Sequence, residues 1–295
     1  MSIISFKPGV GMSDTNITQI GVIGAGQMGA GITQTAASSG LNILLADYHQ
    51  DAAESGKKKI AQSLARLVEK GKITPSEADL ILSRIKISDS LSQLKDCPFV
   101  VEAIIERVEA KIDLFQQLDQ ILHPQAILAS NTSSISITRL AASTSRPERC
   151  IGMHFMNPVP IMALVEVIRG LQTSEETYQT TLHLAKILGK TTVLGIDSAG
   201  FIVNRVLMPM INEAIFLLQE GVEPTDIDTA MKLGTNQPMG PLTLADFIGL
   251  DTVLFILQVL QRDLGEDKYR PCPLLVRYVE AGFLGKKSGR GFYRY

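Results

Sequence analysis

The chain predicts a doubly wound α/β sheet followed by an all-helical C-terminal domain. Three features carry that prediction. Through residue 199, short apolar runs alternate with segments of helical period, the pattern of strands joined by crossover helices. A glycine-rich turn separates the first run from the first helix. Beyond residue 200, runs of strand length give way to helices that start at Pro and stop at Gly.

The elements follow in chain order. Residues 1–16 hold Pro8, Gly9, Gly11 and one lysine but no arginine. They lack the apolar core of a signal peptide and the Arg-rich pattern of a transit peptide, and read as a flexible extension with Met12 as a candidate start. Residues 20–23 form a short buried strand, 28–39 a helix stopped by Gly40, and 41–46 a second strand ending in Asp47. Residues 52–70 are a long basic helix. Thr74, Pro75, Ser76 and Glu77 form a capping box that opens a helix to about Ser83. Residues 99–103 are a strand, 108–122 a helix, and 126–130 and 151–155 two more strands. Glu166 lies in a further strand-like apolar run. Thr173, Ser174, Glu175 and Glu176 cap a helix that ends near Gly189. This alternation argues a parallel sheet. The pattern changes at residues 198–200, dividing the chain into 1–16, 17–199 and 200–295. The last part reads as helices over 201–220, 224–233, 241 to about 263, and 273–281. Val253, Leu254, Phe255, Ile256 and Leu257 are apolar nearly all round their helix, so they should be covered on more than one side, with a subunit interface as the expected cover.

Composition narrows the function. With 295 residues and 45% hydrophobic content, the chain can bury one large or two ordinary cores. A formal net charge of −2 makes no electrostatic case for nucleic acid or an anionic membrane. No apolar run reaches the length of a bilayer span. Cys97, Cys150 and Cys272 are far apart with no CxxC spacing, so neither a disulfide framework nor a metal site is expected. A reducing, cytoplasmic setting fits.

Gly24, Ala25, Gly26, Gln27, Met28 and Gly29 match GxGxxG. The first glycine permits a tight turn, the second a close approach of backbone to pyrophosphate, and the third close packing of helix on strand. The motif follows a strand, opens a helix and precedes Asp47 at the end of the next strand, which is the context of a Rossmann-like dinucleotide site. Asp47 should accept from the adenosine ribose hydroxyls and repel a 2′-phosphate; Tyr48 and His49 follow it rather than arginine. The expected cofactor is NAD.

His154 and Glu166 carry the chemistry. Histidine exchanges a proton near neutral pH. A carboxylate in an apolar run is costly unless it is paired. One economical arrangement pairs the two, so that Glu166 fixes the imidazole tautomer. A general base beside a nicotinamide is the equipment of an alcohol dehydrogenase. His49, His123 and His183 lack such surroundings and read as surface positions.

With these residues in place, the chain resembles the L-3-hydroxyacyl-CoA dehydrogenases, in their single-function bacterial 3-hydroxybutyryl-CoA group. The resemblance runs from Ile20 to Tyr295. It includes the glycine loop, residues 100–106, 130–134, the His154 segment, 200–205, 228–234, 238–241 and 289–293. It implies a Rossmann-like domain followed by a helical dimerisation domain, and reversible oxidation of an L-3-hydroxyacyl-CoA by NAD, with His154 as acid–base group and Glu166 as its partner. It also implies that Ser133 and Asn204 hold the substrate oxygens; for the residues alone, a helix cap and a helix-to-helix bond remain alternatives. Glu106 and Lys111 match positions that line the nicotinamide and its ribose, with Glu106 alternatively a solvated charge at a helix start; Lys287 matches a lysine that reaches the cofactor, alternatively a flexible surface lysine; Asn157 matches a position close to the histidine on the cofactor side, alternatively bracing the turn at Pro158–Pro160. Ser63 and Lys70 match contacts to coenzyme A, on a helix whose Lys57, Lys58, Lys59, Arg66 and nearby Lys72 suit its phosphates. Two other readings stand beside this one. A 3-hydroxyacid or sugar-acid dehydrogenase of the same fold would act without CoA. A non-catalytic dinucleotide-binding protein would bind NAD without turnover.

Overall fold

A computed structural model describes residues 17–295. The reading of residues 1–16 as an extension lies outside it. The sheet part runs β1 (Gln19–Ile23), α1 (Gln27–Ser38), β2 (Asn42–Ala46), α2 (Gln50–Glu69), α3 (Pro75–Ser83), β3 (Ile85–Ile87), β4 (Phe99–Glu102), α4 (Val108–Ile121), β5 (Ile127–Ser130), α5 (Ile137–Ala141), β6 (Cys150–Phe155), β7 (Leu164–Arg169), α6 (Glu175–Ile187) and β8 (Thr191–Ile196). The helical part follows with α7 (Val203–Gln219), α8 (Pro224–Gly234), α9 (Pro241–Ile248), α10 (Leu250–Leu264) and α11 (Pro273–Glu280).

The eight strands lie in the order β3-β2-β1-β4-β5-β6-β7-β8. The first six are parallel, and the order reverses between β1 and β4. Parallel strands present all their carboxyl ends at one edge, and the crevice at the reversal is where such sheets hold ligands. The loops after β1, β4, β5 and β6 therefore gather at that edge although they are far apart in sequence. Strand interiors such as Phe99, Val100 and Val101 are fully buried because helices cover both faces.

The expectation of a parallel sheet needs one correction. β7 is antiparallel to β6, and β8 is parallel to β7. Residues 156–163 are too few for a crossover helix, which takes a dozen or more, so the chain turns straight back. The reversal sets His154 directly opposite Glu166 in the register.

Three further differences have local causes. β3 is a three-residue edge strand, too short to leave a pattern in the text. β8 is an edge strand with only Gly195 buried, so no continuous core face marked it. The single helix expected over 241–263 is two helices, α9 and α10, bent by 97° at Gly249, whose φ of 103° only glycine adopts readily. That bend also brings the apolar stretch of α10 into the chain's own core. Val253, Leu254, Ile256 and Leu257 are buried there, and only Phe255 stays exposed. The cover of those four residues is intramolecular. No single helix among the described residues is long and apolar enough to cross a membrane; only the bent pair α9–α10 passes on length and composition together, and its apolar face is the buried core just described.

Candidate active site

The glycine loop is built from backbone. Gly24 has φ 100°, and a Cβ there would lie 2.4 Å from the Ala103 carbonyl oxygen. A Cβ on Gly29 would lie 1.6 Å from the Gly24 carbonyl oxygen, so α1 could not start where it does. Gly26 differs. Its φ is −64°, and a Cβ there would meet nothing within 4 Å. Among the described residues nothing in the chain crowds position 26, and the open space there suits a ligand phosphate at the first amides of α1. Asp47 is tied into the same loop, accepting from the Ala25 amide at 2.7 Å. Gly56 of α2 packs on Ala25, where a Cβ would come within 2.8 Å, so α2 starts against the cofactor loop.

After β4 comes a buried ionic network. Glu102 is 1% exposed and accepts from Lys111 Nζ at 2.5 Å, Ser130 Oγ at 2.6 Å and the Ile104 amide at 2.7 Å. Lys111 also faces Glu106 at 3.3 Å. One oxygen of Glu106 accepts from Thr132 Oγ1 at 2.6 Å, the Ser133 amide at 2.8 Å, and Ser133 Oγ and Ser134 Oγ at 3.2 Å each. Burial pushes the Glu106 carboxyl up, but Lys111 and these donors outweigh it and hold it below its ordinary value. Glu106 is not a solvated charge at a helix start; it organises the loop that carries Ser133. Asn131 Oδ1 accepts from the Phe155 amide at 2.9 Å, which draws that loop to the end of the strand bearing His154. Sequence reasoning missed Glu102 as a support. Its signal, a carboxylate closing an apolar run, was the one used for Glu166.

His154 and Glu166 meet across β6 and β7, with Nδ1 2.7 Å from Oε2. Glu166 is fully buried and His154 7% exposed. The other oxygen of Glu166 accepts from the Ile202 and Val203 amides at 2.9 Å each, at the start of α7. Burial pushes the Glu166 carboxyl up; the His154 bond and the two amides pull it down further, leaving it below its ordinary value. An ionised Glu166 accepts only, so Nδ1 donates and Nε2 of neutral His154 carries the free lone pair. Asn204, the next residue of α7, is buried, and its side chain has no hydrogen-bond partner among the described residues. The alternative of a helix-to-helix bond is therefore not realised.

Two family models decide the kinship. The 3-hydroxyacyl-CoA dehydrogenase NAD-binding domain matches residues 19–198, and the C-terminal domain of the same enzymes matches residues 200–295. The chain belongs to the 3-hydroxyacyl-CoA dehydrogenase family. It is similar to a probable 3-hydroxybutyryl-CoA dehydrogenase of Bacillus subtilis, 58% identical over 95% of this chain and 98% of the relative. A 3-hydroxybutyryl-CoA dehydrogenase of Bradyrhizobium diazoefficiens is 54% identical over 95% and 96%. Among solved structures, (S)-3-hydroxybutyryl-CoA dehydrogenase from Ralstonia eutropha superposes with a TM-score of 0.91 at 50% identity, covering 95% of this chain and 99% of that one. As a 3-hydroxyacyl-CoA dehydrogenase, the protein is an NAD-dependent oxidoreductase that interconverts 3-hydroxyacyl-CoA and 3-oxoacyl-CoA.

The remaining expected site residues, Lys287 excepted, fall into two groups. Gln27 Nε2 donates to Asn157 Oδ1 at 3.0 Å, joining the glycine loop to the loop after β6. Gly56 and Ser63 of α2 and its C-cap residue Lys70 recur every seven residues, a spacing that follows one helix face. Arg66 is exposed beside them, whereas Lys57 is spent on the Ile85 carbonyl at 2.6 Å. Lys287 stands apart from these groups. It lies beyond α11, half exposed, and its ammonium is 2.6 Å from Asp251 of α10.

Proposed function

We propose that the protein is a short-chain L-3-hydroxyacyl-CoA dehydrogenase, turning over 3-hydroxybutyryl-CoA with His154 as its acid–base group. The observation that carries this reading is the 2.7 Å bond from His154 Nδ1 to a fully buried Glu166. That bond leaves Nε2 as the lone proton acceptor. In oxidation Nε2 takes the 3-hydroxyl proton, and in reduction it returns the proton to the forming alkoxide. Glu166 stabilises the imidazolium and stays ionised throughout. NAD, when bound, supplies the acceptor for the C3 hydride. Ser133 and Asn204 donate to the substrate oxygen without competing as bases. Ser133 is supported for this role by its loop being drawn to Phe155, and Asn204 by its buried amide, which has no hydrogen-bond partner among the described residues.

The residues on the cofactor side are Gly24, Gly26, Gln27, Met28, Gly29 and Asp47, with Asn157 joined to them through Gln27. Glu106 and Lys111 follow β4 at the topological reversal, a position that supports a role at the nicotinamide and its ribose. Lys287 would have to release Asp251 to reach the cofactor. Ser63 and Lys70 receive the CoA, on the α2 face that begins at the glycine loop. A homodimer through the helical domain is supported by exposed Val206, Leu217, Phe247 and Phe255. Three buried free cysteines suit a reducing cytoplasm.

The test is NADH consumption with acetoacetyl-CoA, run beside acetoacetate and NADPH. Fast turnover that needs both the thioester and NADH is the expected result. Equal turnover of acetoacetate would replace the acyl-CoA reading with a free hydroxyacid dehydrogenase. NADH binding without any turnover would make the protein a non-catalytic dinucleotide binder.

A further inference from the structure

Residues 197–203 join the sheet to α7, and they contain one backbone outlier. Phe201 has φ 48°; the only other non-glycine residue with positive φ among those described is Asn236, a type that tolerates it. A bulky side chain avoids this region because its Cβ crowds the carbonyl. Such outliers persist where the surroundings over-determine them. Glycine was available next door, at Gly200, yet position 201 is phenylalanine.

The Phe201 ring is 5% exposed and lies 5.6 Å from the His154 imidazole, tilted by 59°. Behind it pack Ile137 and Ile168, both buried. Two carboxylates hold this arrangement from opposite sides. Asp197 accepts from the Ile137 amide at 2.8 Å, the Thr138 amide at 2.7 Å and Ser136 Oγ at 3.0 Å, which fixes α5 and with it Ile137. Glu166 holds the Ile202 and Val203 amides immediately after the ring.

We propose that Phe201 is a positioning residue for the imidazole of His154, and that the Asp197 clamp on α5 keeps its ring in place. The proposal rests on the assignment of His154 as acid–base group. Glu166 anchors the imidazole only at Nδ1. An apolar ring on one side limits the swing of the Nε2 end and shields the His154–Glu166 bond from water. A misplacement of about 1 Å at a reacting atom costs on the order of 100-fold in rate, so a partial loosening is expected to cost about tenfold.

The experiment uses Phe201→Ala, Phe201→Leu and Asp197→Ala in the full chain, with His154→Gln as reference. Three quantities are measured: kcat with acetoacetyl-CoA and NADH, the NADH dissociation constant from cofactor fluorescence, and the downfield proton resonance of the Nδ1–H bonded to Glu166. That resonance is assigned by its absence from His154→Gln. Phe201→Ala should lower kcat about tenfold, broaden the resonance by solvent exchange and leave NADH binding unchanged. Phe201→Leu, which keeps the packing, should restore most of both. Asp197→Ala should follow Phe201→Ala with a smaller loss. Parental kcat and an unbroadened resonance in Phe201→Ala, beside an inactive His154→Gln, would overturn the proposal. An active His154→Gln would strike the acid–base assignment instead. If Phe201→Ala does not fold, Asp197→Ala decides on the same two readouts: parental values there overturn the clamp.

Discussion

The glycine loop and the His154–Glu166 junction both belong to the proposed site, yet they are made in opposite ways. The loop is a single continuous segment whose working groups are backbone amides, with glycines placed where a side chain would block chain or ligand. The junction draws on β6, β7 and the start of α7, and its working groups are side chains. A backbone site tolerates almost no added atoms but needs few specific side chains. A side-chain site depends on each functional group and on the elements that hold them in register. The contrast predicts which substitutions separate binding from chemistry, and which separate either from folding.

The largest effect is expected from His154→Gln, which removes the proposed proton acceptor but keeps a side chain of similar reach. It should lower kcat roughly 10²–10⁴-fold while NADH binding, measured by cofactor fluorescence, stays intact. A parallel loss of NADH binding would mean that junction and loop are not separable. Glu166→Gln comes next, with a kcat loss of about 100-fold, because the amide still accepts from α7 but no longer opposes the imidazolium. This variant also tests a pH dependence. The folded Glu166 carboxyl lies below its ordinary value of 4.5, so its stabilisation is complete above that value and is lost as pH falls through the lowered one. Denaturation midpoints should fall more steeply on acidification in the parent than in Glu166→Gln.

Within the loop, two glycines should behave differently. Gly29→Ala places a Cβ on a backbone carbonyl and should destabilise the fold by about 3 kcal/mol or more, read from denaturant midpoints. Gly26→Ala meets open space and should leave the midpoint within about 0.5 kcal/mol of the parent. Its cost should appear only as weaker NADH binding, about tenfold or more. Loss of stability in Gly26→Ala would show that the protein, not the ligand, needs that glycine. The smallest effect is expected from Asp47→Ala: NADH binding about tenfold weaker, with NADPH gaining relative to it. A parent enzyme that already uses NADPH as well as NADH would contradict this role for Asp47.

What was legible in the text differs between the two regions for the same reason. GxGxxG is a local constraint, because tight turns and close approaches act between residues near in sequence. The capping box at Thr74 and Glu77 was readable on the same ground, and both of its hydrogen bonds form. The pairing of His154 with Glu166 was suggested by chemistry, since a carboxylate in an apolar run needs a partner. The antiparallel return of β7 that sets them face to face was not readable, because strand direction depends on what the neighbouring loop can span. The edge strands β3 and β8 were missed because an exposed or very short strand leaves no continuous apolar run. The supports of the site, Glu102 under Lys111 and Asp197 on α5, were silent for a further reason: their partners lie on other elements. By itself the sequence determined the fold class and the GxGxxG loop, and it singled out His154 and Glu166, the residues proposed as reactive, since these follow from periodicity, local sterics and functional-group chemistry. Tertiary structure alone decided strand direction, the bend at Gly249 and which buried charges brace the site, because those depend on contacts between segments whose distance in the chain carries no information about their distance in space.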